Sequence, residues 1–451
     1  MTKRDALVIG GGMAGLMAAK VLADQFEQVT ILERDHLPDG PVQRPGALQA
    51  LHAHPLQVRA QQILERLFPG LTADLLAHGA VQADSGSEFV WFQHGVTALR
   101  TPVGLPVLVA GRALLEWRMR VHLQRVANIR WRTGYRVTEL LTASDRSMVT
   151  GVIVEPMDRS TSYRPLHADL VVDASGRGSR LPQWLESMGY GAVPVTELPV
   201  NAVHASREFR YHGPAPDWKL MLQVCEKPST RVGLLTAVEG GRYVLTLHAM
   251  LGDSPGATEA EFAAFARSLP LPAFQEWFTH AEPVGEITIF RTASSLRRHY
   301  ERMALFPAGL AVLGDAACSL NPRYGQGIAA AAIGAEALQQ TLAETPDLNS
   351  FSRLFQSRLA RAVDLPWQVS TMADFTFPGV QGQRHWVSGL LAGYGESVAR
   401  LAATDAHALK GMLEVLHLLK GPQVLFQPRI LKGTLTLPAK PARFARAAWQ
   451  S

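Results

Sequence analysis

A chain of 451 residues, 47% hydrophobic and 18% charged, has room for two or three domains, or one large interleaved one, with a core deep enough to enclose a small molecule. Two cysteines exclude a disulfide framework, no apolar run is long enough to span a bilayer, and no secretory signal precedes the first strand, so a cytoplasmic location is expected. The net charge of +5 comes without a dense basic patch or a recognisable module, which argues against a nucleic-acid partner.

Ala6-Leu7-Val8-Ile9 reads as a buried parallel strand, and Gly10, Gly12 and Gly15 follow at the spacing of the dinucleotide fingerprint. One glycine allows the tight turn, one lets the backbone approach phosphates, and the third allows helix to pack on strand. The helix opening with Met13 and Ala14 offers free N–H groups and a positive dipole end to a pyrophosphate. A second strand, Val29-Thr30-Ile31-Leu32, ends in Glu33, followed by Arg34; Glu33 stands 18 residues after Gly15, where an acceptor for ribose hydroxyls belongs. The pattern does not separate NAD from FAD.

Arg44 opens a stretch that runs to His54. His52 and His54 share one face if the segment is extended. No third ligand with recognisable spacing follows, so hydrogen-bonded histidines lining a cofactor or substrate are expected and no metal. Arg112 begins an amphipathic stretch through Leu114, Leu115 and Leu123, and Asp173 follows Leu170-Val171-Val172, where it can cap a turn. A short strand-like insertion surrounds Phe89 to Phe92. A longer one, from about Pro199 to Gly252, holds four strands: Ala202 to Tyr211, Lys219 to Cys225, Val232 to Val238 and Tyr243 to Met250. The last two are joined by a hairpin turn at Glu239 to Arg242. Cys225 and Cys318 read as buried thiols.

Leu310 to Leu313 reads as a further buried strand delivering Gly314 and Asp315, about 300 residues after the first glycine loop. Pro322, Gly325, Gln326 and Gly327 then shape a turn into an alanine-rich helix from about Ile328 to Leu342. Two such loops suit the two ends of one elongated cofactor, so a flavoprotein is expected. Beyond residue 346 the pattern is helical, with one apolar stripe at Leu409, Met412, Leu413, Leu416 and Leu419 that is expected to seal a core rather than form a dimer seam or lipid-facing surface. Lys440, Arg443 and Arg446 with Trp449 form a basic tail, expected to be solvated, with contact to an anionic membrane surface as the other reading.

These stretches, with Arg44-Pro45-Gly46-Ala47-Leu48-Gln49-Ala50-Leu51-His52-Ala53-His54, Gly111-Arg112, Asp173-Ala174-Ser175-Gly176-Arg177-Gly178-Ser179 and a looser match through Pro366-Trp367 to Asp374 and Pro378, resemble the FAD-dependent monooxygenases of aromatic-hydroxylase fold. Within them the chain looks most like the branch that includes bacterial polyketide (polyether) epoxidases. The resemblance implies that Gly10, Gly12, Met13, Ala14, Gly15, Glu33 and Arg34 bind the adenosine and pyrophosphate half of FAD, together with Arg112. It places Arg44 near the flavin, Gly314 and Asp315 on the ribityl chain, and Pro322, Gly325, Gln326 and Gly327 against the ring. Asp173 belongs to a segment tied in relatives to both FAD and NAD(P)H; here its Asp-Gly core is replaced by Asp-Ala-Ser-Gly.

The fold class expected is α/β: a Rossmann-like FAD-binding domain of discontinuous segments (residues 1–80, 105–190 and 285–345), an inserted antiparallel β-sheet substrate domain (81–104 and 191–284) and a helical C-terminal region (346–451). The function implied is insertion of one oxygen atom from O2 into a hydrophobic small molecule, by epoxidation or hydroxylation through a flavin C4a-hydroperoxide. Electrons would come from NAD(P)H docking transiently or from a flavin reductase partner, since only one dinucleotide fingerprint is visible. No catalytic base is assignable, which tilts the reading slightly toward epoxidation or hydroxylation of a hydrophobic substrate. The alternative is an FAD-dependent dehydrogenase or reductase acting on isoprenoid-like C–C bonds. The Trp-x-Trp-x-Ile-Pro signature of tryptophan halogenases is absent, and a non-catalytic flavin-binding protein is the reading from outside enzymes.

Overall fold

The strands Asp5–Ile9, Gln28–Glu33, Ile129–Thr133, Leu170–Asp173 and Leu310–Val312 form one parallel sheet, in the order 310–312, 170–173, 5–9, 28–33, 129–133. They belong to a computed structural model of the chain, which describes residues 4–46, 52–158, 163–345, 347–382 and 388–438. The three central strands are almost wholly buried and mostly apolar, as expected of strands covered on both faces. The helix Met13–Ala23 covers one face, and the helix Gly327–Glu344, with buried alanines along its length, packs closely against it. Small side chains on both helices allow that approach. A three-stranded antiparallel sheet, Tyr135–Thr142, Val149–Pro156 and Arg164–His167, leans on this layer.

The second large element is an eight-stranded sheet whose long members, Val195–Tyr211 and Ala281–Arg298, pair along most of their length. Arg242–Ala249, Val232–Val238 and Leu220–Val224 follow in antiparallel order, and Phe89–Gln93 joins parallel to the last of these. The strand Ala281–Arg298 continues through residue 285, with a bulge in its pairing between Val284 and Thr288 where Gly285 takes φ +72°. Alternation along the strands gives the sheet two different faces. One carries Ala205, Phe209, Leu235, Leu245 and Leu247, and packs under the helices Glu259–Arg267 and Pro272–Thr279 through Phe262, Phe265, Phe274 and Trp277. The other is polar at its centre.

A small sheet of Ala53–Leu56, Val81–Asp84 and Pro106–Gly111 lies between the two large ones. The C-terminal helices pack on it, with Val398, Ala402, Leu409 and Leu413 against Val107, Val109 and Ala98. The helix Ala406–Leu416 carries the apolar stripe expected of it; Leu418, at φ +57°, ends that path, and Leu419 packs from beyond the helix. The basic tail, residues Ala47 to Leu51 of the Arg44–His54 stretch, and residues 1–3 lie outside the described residues. Among the described residues no helix is long and apolar enough to cross a membrane, and no three metal-binding side chains gather as a site.

Candidate functional site

The first glycine loop leaves Asp5–Ile9 at Gly10, where φ is +102° and an added Cβ would lie 2.6 Å from the carbonyl oxygen of Ala174. Gly15 is tighter still: a Cβ there would fall 1.8 Å from the Gly10 carbonyl oxygen. Gly12 is different. It caps the helix Met13–Ala23 with no side-chain acceptor, and an added Cβ would meet nothing nearer than Arg44 Nη2 at 3.6 Å. Two glycines are therefore required by packing, while the third faces open space at a helix N-terminus with unsatisfied N–H groups. That is the cradle a pyrophosphate needs.

Glu33, buried at the end of its strand, accepts from Gly11 N at 2.7 Å through Oε2 and from Asp35 N at 3.0 Å through Oε1. Arg44 lies here too. Its guanidinium is held by Asp35 at 2.7 Å, Glu116 at 3.2 Å and Glu33 at 3.3 Å, beside Gly12. Those carboxylates raise its pKa against the opposing effect of burial, the largest single influence. Glu116 also binds Arg112 at 3.0 Å; burial works to raise the Glu116 pKa, but the two arginines hold it below the ordinary value. Arg34 is exposed next to Glu33.

Asp173 takes the turn-capping role. Its carboxylate accepts from Ser175 N at 2.9 Å, Ser175 Oγ at 2.6 Å and Ser179 Oγ at 2.5 Å, and it is 1% exposed. Oδ1 takes two of these donors and Oδ2 one, so the carboxylate fixes the turn that follows its strand.

The second loop meets the first directly: Gly314, at φ +65°, is so close to Ala14 that an added Cβ would lie 2.6 Å from the alanine methyl. Asp315 follows, half-buried, with no hydrogen bond to its carboxylate among the described residues. Burial pushes its pKa up, while Arg112, Arg177 and Arg298 nearby oppose that rise. Pro322 starts a single helical turn, Gly325 leaves it at φ +65°, and Gly327 opens the long helix with nothing within 4 Å of an added Cβ. Gln326 is 1% exposed and its Oε1 has no partner. An unpartnered amide and a carboxylate with free lone pairs, next to an open glycine turn, fit the ribityl and ring portions of a flavin.

Opposite this loop stands the polar face of the large sheet, which was not read from the sequence. His204 pairs across the sheet with Phe290 on one side and His248 on the other, and in the adjacent row Ser206 pairs with Thr246. His52 reaches in from the N-terminal part: its Nδ1 lies 2.5 Å from Ser206 Oγ, which lies 2.6 Å from Thr246 Oγ1. His248 Nδ1 is 3.0 Å from His204 Nε2. Burial lowers the pKa of all three imidazoles, to about 4 for His52, so they are neutral hydrogen-bonding groups. His54 turns away toward Arg112, with Nδ1 2.6 Å from the His52 carbonyl oxygen. The signal for this cluster was the alternation His204-x-Ser206 and Thr246-x-His248 inside expected strands; only strand pairing brings the four side chains together.

Asp374 closes the site from the C-terminal side. Its Oδ1 accepts from Asn321 Nδ2 and from Tyr324 Oη, each at 2.8 Å, and its Oδ2 is buried without a partner. Burial pushes its pKa up to about 6. Cys318 is a buried thiol pushed up to about 12, and Cys225 is half-buried with its pKa also raised by burial; neither has the low pKa of a reactive thiolate.

Residues 3–369 match the family described as "FAD binding domain". Protein Rv3254 of Mycobacterium tuberculosis is 31% identical over 386 residues, covering 83% of this chain and 81% of that protein. Kynurenine 3-monooxygenase of Salinispora tropica is 26% identical, covering 76% and 74%. Among solved structures, p-nitrophenol 4-monooxygenase PnpA from Pseudomonas putida shares the fold with a TM-score of 0.64 at 17% identity, over 93% of this chain and 99% of that one. A flavoprotein/dehydrogenase from Cytophaga hutchinsonii does so with a TM-score of 0.66 at 17% identity, over 95% and 96%.

Proposed function

The chain belongs to the FAD binding domain family, and on that premise we propose that it places one oxygen atom from O2 into a hydrophobic organic substrate. It is an FAD-dependent oxidoreductase of the aromatic-hydroxylase type; FAD is its cofactor, and flavin monooxygenases of this family draw electrons from NAD(P)H. The observation that carries the oxygenation reading is the contact of Gly314 with Ala14, which joins a pyrophosphate cradle to a ring loop in one cleft roofed by a separate sheet. Such a roof excludes water, and water at an oxygen-activating flavin wastes the reductant as hydrogen peroxide.

Bound FAD supplies the two-electron reduction and the activation of O2. The residues do the rest. The turn at Gly10, Gly12 and Gly15 and the helix opening with Met13 and Ala14 receive the pyrophosphate, Glu33 and Arg44 frame the ribose, and Arg112 stands between them and Asp315. Asp315 accepts from the ribityl hydroxyls, and Pro322 and Gly325 to Gly327 shape the seat of the ring, where the dipole of the helix Gly327–Glu344 favours the anionic reduced state. The His52, His204, Ser206, Thr246 and His248 group orients the substrate. Hydroxylation of a molecule carrying a polar group is favoured over epoxidation of a plain alkene, because an alkene would leave those buried nitrogens and hydroxyls without partners.

The test is product analysis under 18-O2 with NADPH as reductant, across lipophilic and polar aromatic or unsaturated compounds. Incorporation of one labelled atom is expected. Product without label supports instead the FAD-dependent dehydrogenase or reductase acting on isoprenoid-like C–C bonds. Bleaching of the flavin only after a separate reductase is added would make that reductase the electron source.

A further inference from the structure

The polar sheet face holds more hydrogen-bonding capacity than the protein satisfies. His52 Nε2, His248 Nε2 and Thr292 Oγ1 are buried with no partner, on residues that are 9%, 3% and 4% exposed. They sit on or against one face, since His204 pairs with His248 and Phe290, Ala202 pairs with Thr292, and the His52 ring centroid lies 5.8 Å from that of His204 and 6.1 Å from that of Phe290. Unpaired buried polar atoms are costly, and several facing one space point to a ligand that supplies their partners.

Arg323 brings a positive charge to the same place. It stands on the ring loop, donates from Nη1 to Thr230 O at 2.6 Å, lies over the Phe377 ring at 5.2 Å and abuts the Tyr324 hydroxyl. It makes no ion pair within 4 Å among the described residues; Arg44, Arg112 and Arg297 each do, and Arg177 and Arg298, which do not, face the Asp315 carboxylate. Its nearest countercharge is Asp374, reached only through Tyr324, which itself binds that carboxylate. The other groups facing it are Cys225, His204 and His248, and Lys227 lies over the far reaches of the same Phe377 ring at 5.9 Å. Desolvation depresses its pKa yet leaves it charged, because a guanidinium begins so far above neutrality.

We propose that the cleft between the ring loop and this sheet face takes the acidic oxygen of an organic substrate as its anion, a carboxylate in the first instance, paired with Arg323 and hydrogen-bonded by the imidazoles. A carboxylate accepts only, and matches a planar guanidinium with two oxygens. The histidine pair adapts to it: when His204 Nε2–H donates to His248 Nδ1, neutral His248 carries its single N–H at Nε2, free to donate to the anion. The inference rests on the oxygenase reading and names the substrate class of that same site.

The experiment titrates the FAD-loaded protein with benzoate, 1-naphthoate and decanoate, each beside its primary amide, following the flavin absorbance change. At least one carboxylate is expected to bind ten-fold or more tightly than its amide. Arg323→Gln should remove that preference and leave amide binding within about three-fold, while Arg323→Lys should keep part of it. Equal binding of carboxylates and amides, no carboxylate binding, or an undiminished preference in Arg323→Gln would overturn the inference. Should Arg323→Gln fail to load flavin, the ratio in the unaltered protein and its fall in His248→Gln carry the decision, and an unchanged ratio overturns it. A protein that holds no flavin defeats the oxygenase reading; a flavin-loaded one indifferent to charge defeats this inference alone.

Discussion

Gly10 and Gly12 stand two positions apart in one motif and serve opposite ends. At Gly10 the backbone is left-handed and a side chain would strike the Ala174 carbonyl, so Gly10→Ala should destabilise the protein itself, by roughly 3 kcal/mol from overpacking and φ strain together. At Gly12 nothing but the tip of Arg44 is near. Gly12→Ala should therefore leave thermal unfolding of the flavin-free protein within about 0.5 kcal/mol of the unaltered chain. Gly12→Val, by intruding on the pyrophosphate, should abolish FAD retention while the flavin-free fold persists. Unfolding midpoints of the stripped proteins, set beside flavin content as purified, separate the two roles. Equal loss of stability at both positions would contradict the division. Asp173 works on the same turn from the other side, its carboxylate taking three donors from Ser175 and Ser179.

Between elements, the informative tie is the one from the helix Asp364–Asp374 to the ring loop through Asn321 and Tyr324. An aspartate ionises near 4 in an unfolded chain, but burial lets Asp374 keep its proton to about 6 when folded. The folded state therefore binds more protons between those values, and stability falls as pH rises through them. Below about 4 both states are protonated and the penalty vanishes; above about 6 it is constant, on the order of 3 kcal/mol. Asp374→Asn keeps an acceptor for Asn321 and Tyr324 and removes the ionisation. Its stability relative to the unaltered protein should be flat below pH 4, climb toward pH 6 and stay level beyond; a difference independent of pH would show that Asp374 does not titrate there. Elements like this helix were legible because local pattern suffices for them: the strands Val232–Val238 and Arg242–Ala249, the turn at Glu239 with Gly240 and Gly241 at positive φ, and the helix Gly327–Glu344 all follow from residues within one window. The strand Ala281–Arg298 and the histidine cluster were not, since both depend on pairing between segments far apart in the chain. A polar residue on a strand looks solvent-facing until the partner sheet is known. The partners of Arg44 were not legible for the same reason: its position is set by Asp35 and Glu116, and Glu116 lies 72 residues away.

At the scale of the whole molecule, one ligand would add to the packing that already holds together parts of the chain far apart in sequence. The N-terminal loop, the second loop and the helix Arg112–Gln124 converge on the cleft, and the strands behind the two loops, Asp5–Ile9 and Leu310–Val312, are separated in the sheet by Leu170–Asp173. A nucleotide gripped at both ends should stabilise the fold by linkage, by about 2.7 kcal/mol at a hundred-fold excess over its dissociation constant. ADP offers the adenosine and pyrophosphate without the ribityl chain or ring. The unfolding midpoint of the flavin-stripped protein should then rise with either ligand, and further with FAD at equal free concentration, because contacts to the second loop lower the dissociation constant of FAD. The variants resolve the two grips: Asp315→Ala should shrink the FAD shift toward that of ADP and leave the ADP shift intact, whereas Gly12→Val should erase both. The Asp315 carboxylate accepts no hydrogen bond among the described residues, and its burial cost opposes the attraction of Arg112, Arg177 and Arg298, so its replacement should change the midpoint of the stripped protein little. An Asp315→Ala variant that retains the full FAD increment would place the ring end of the cofactor elsewhere, and with it the substrate face assigned to the large sheet.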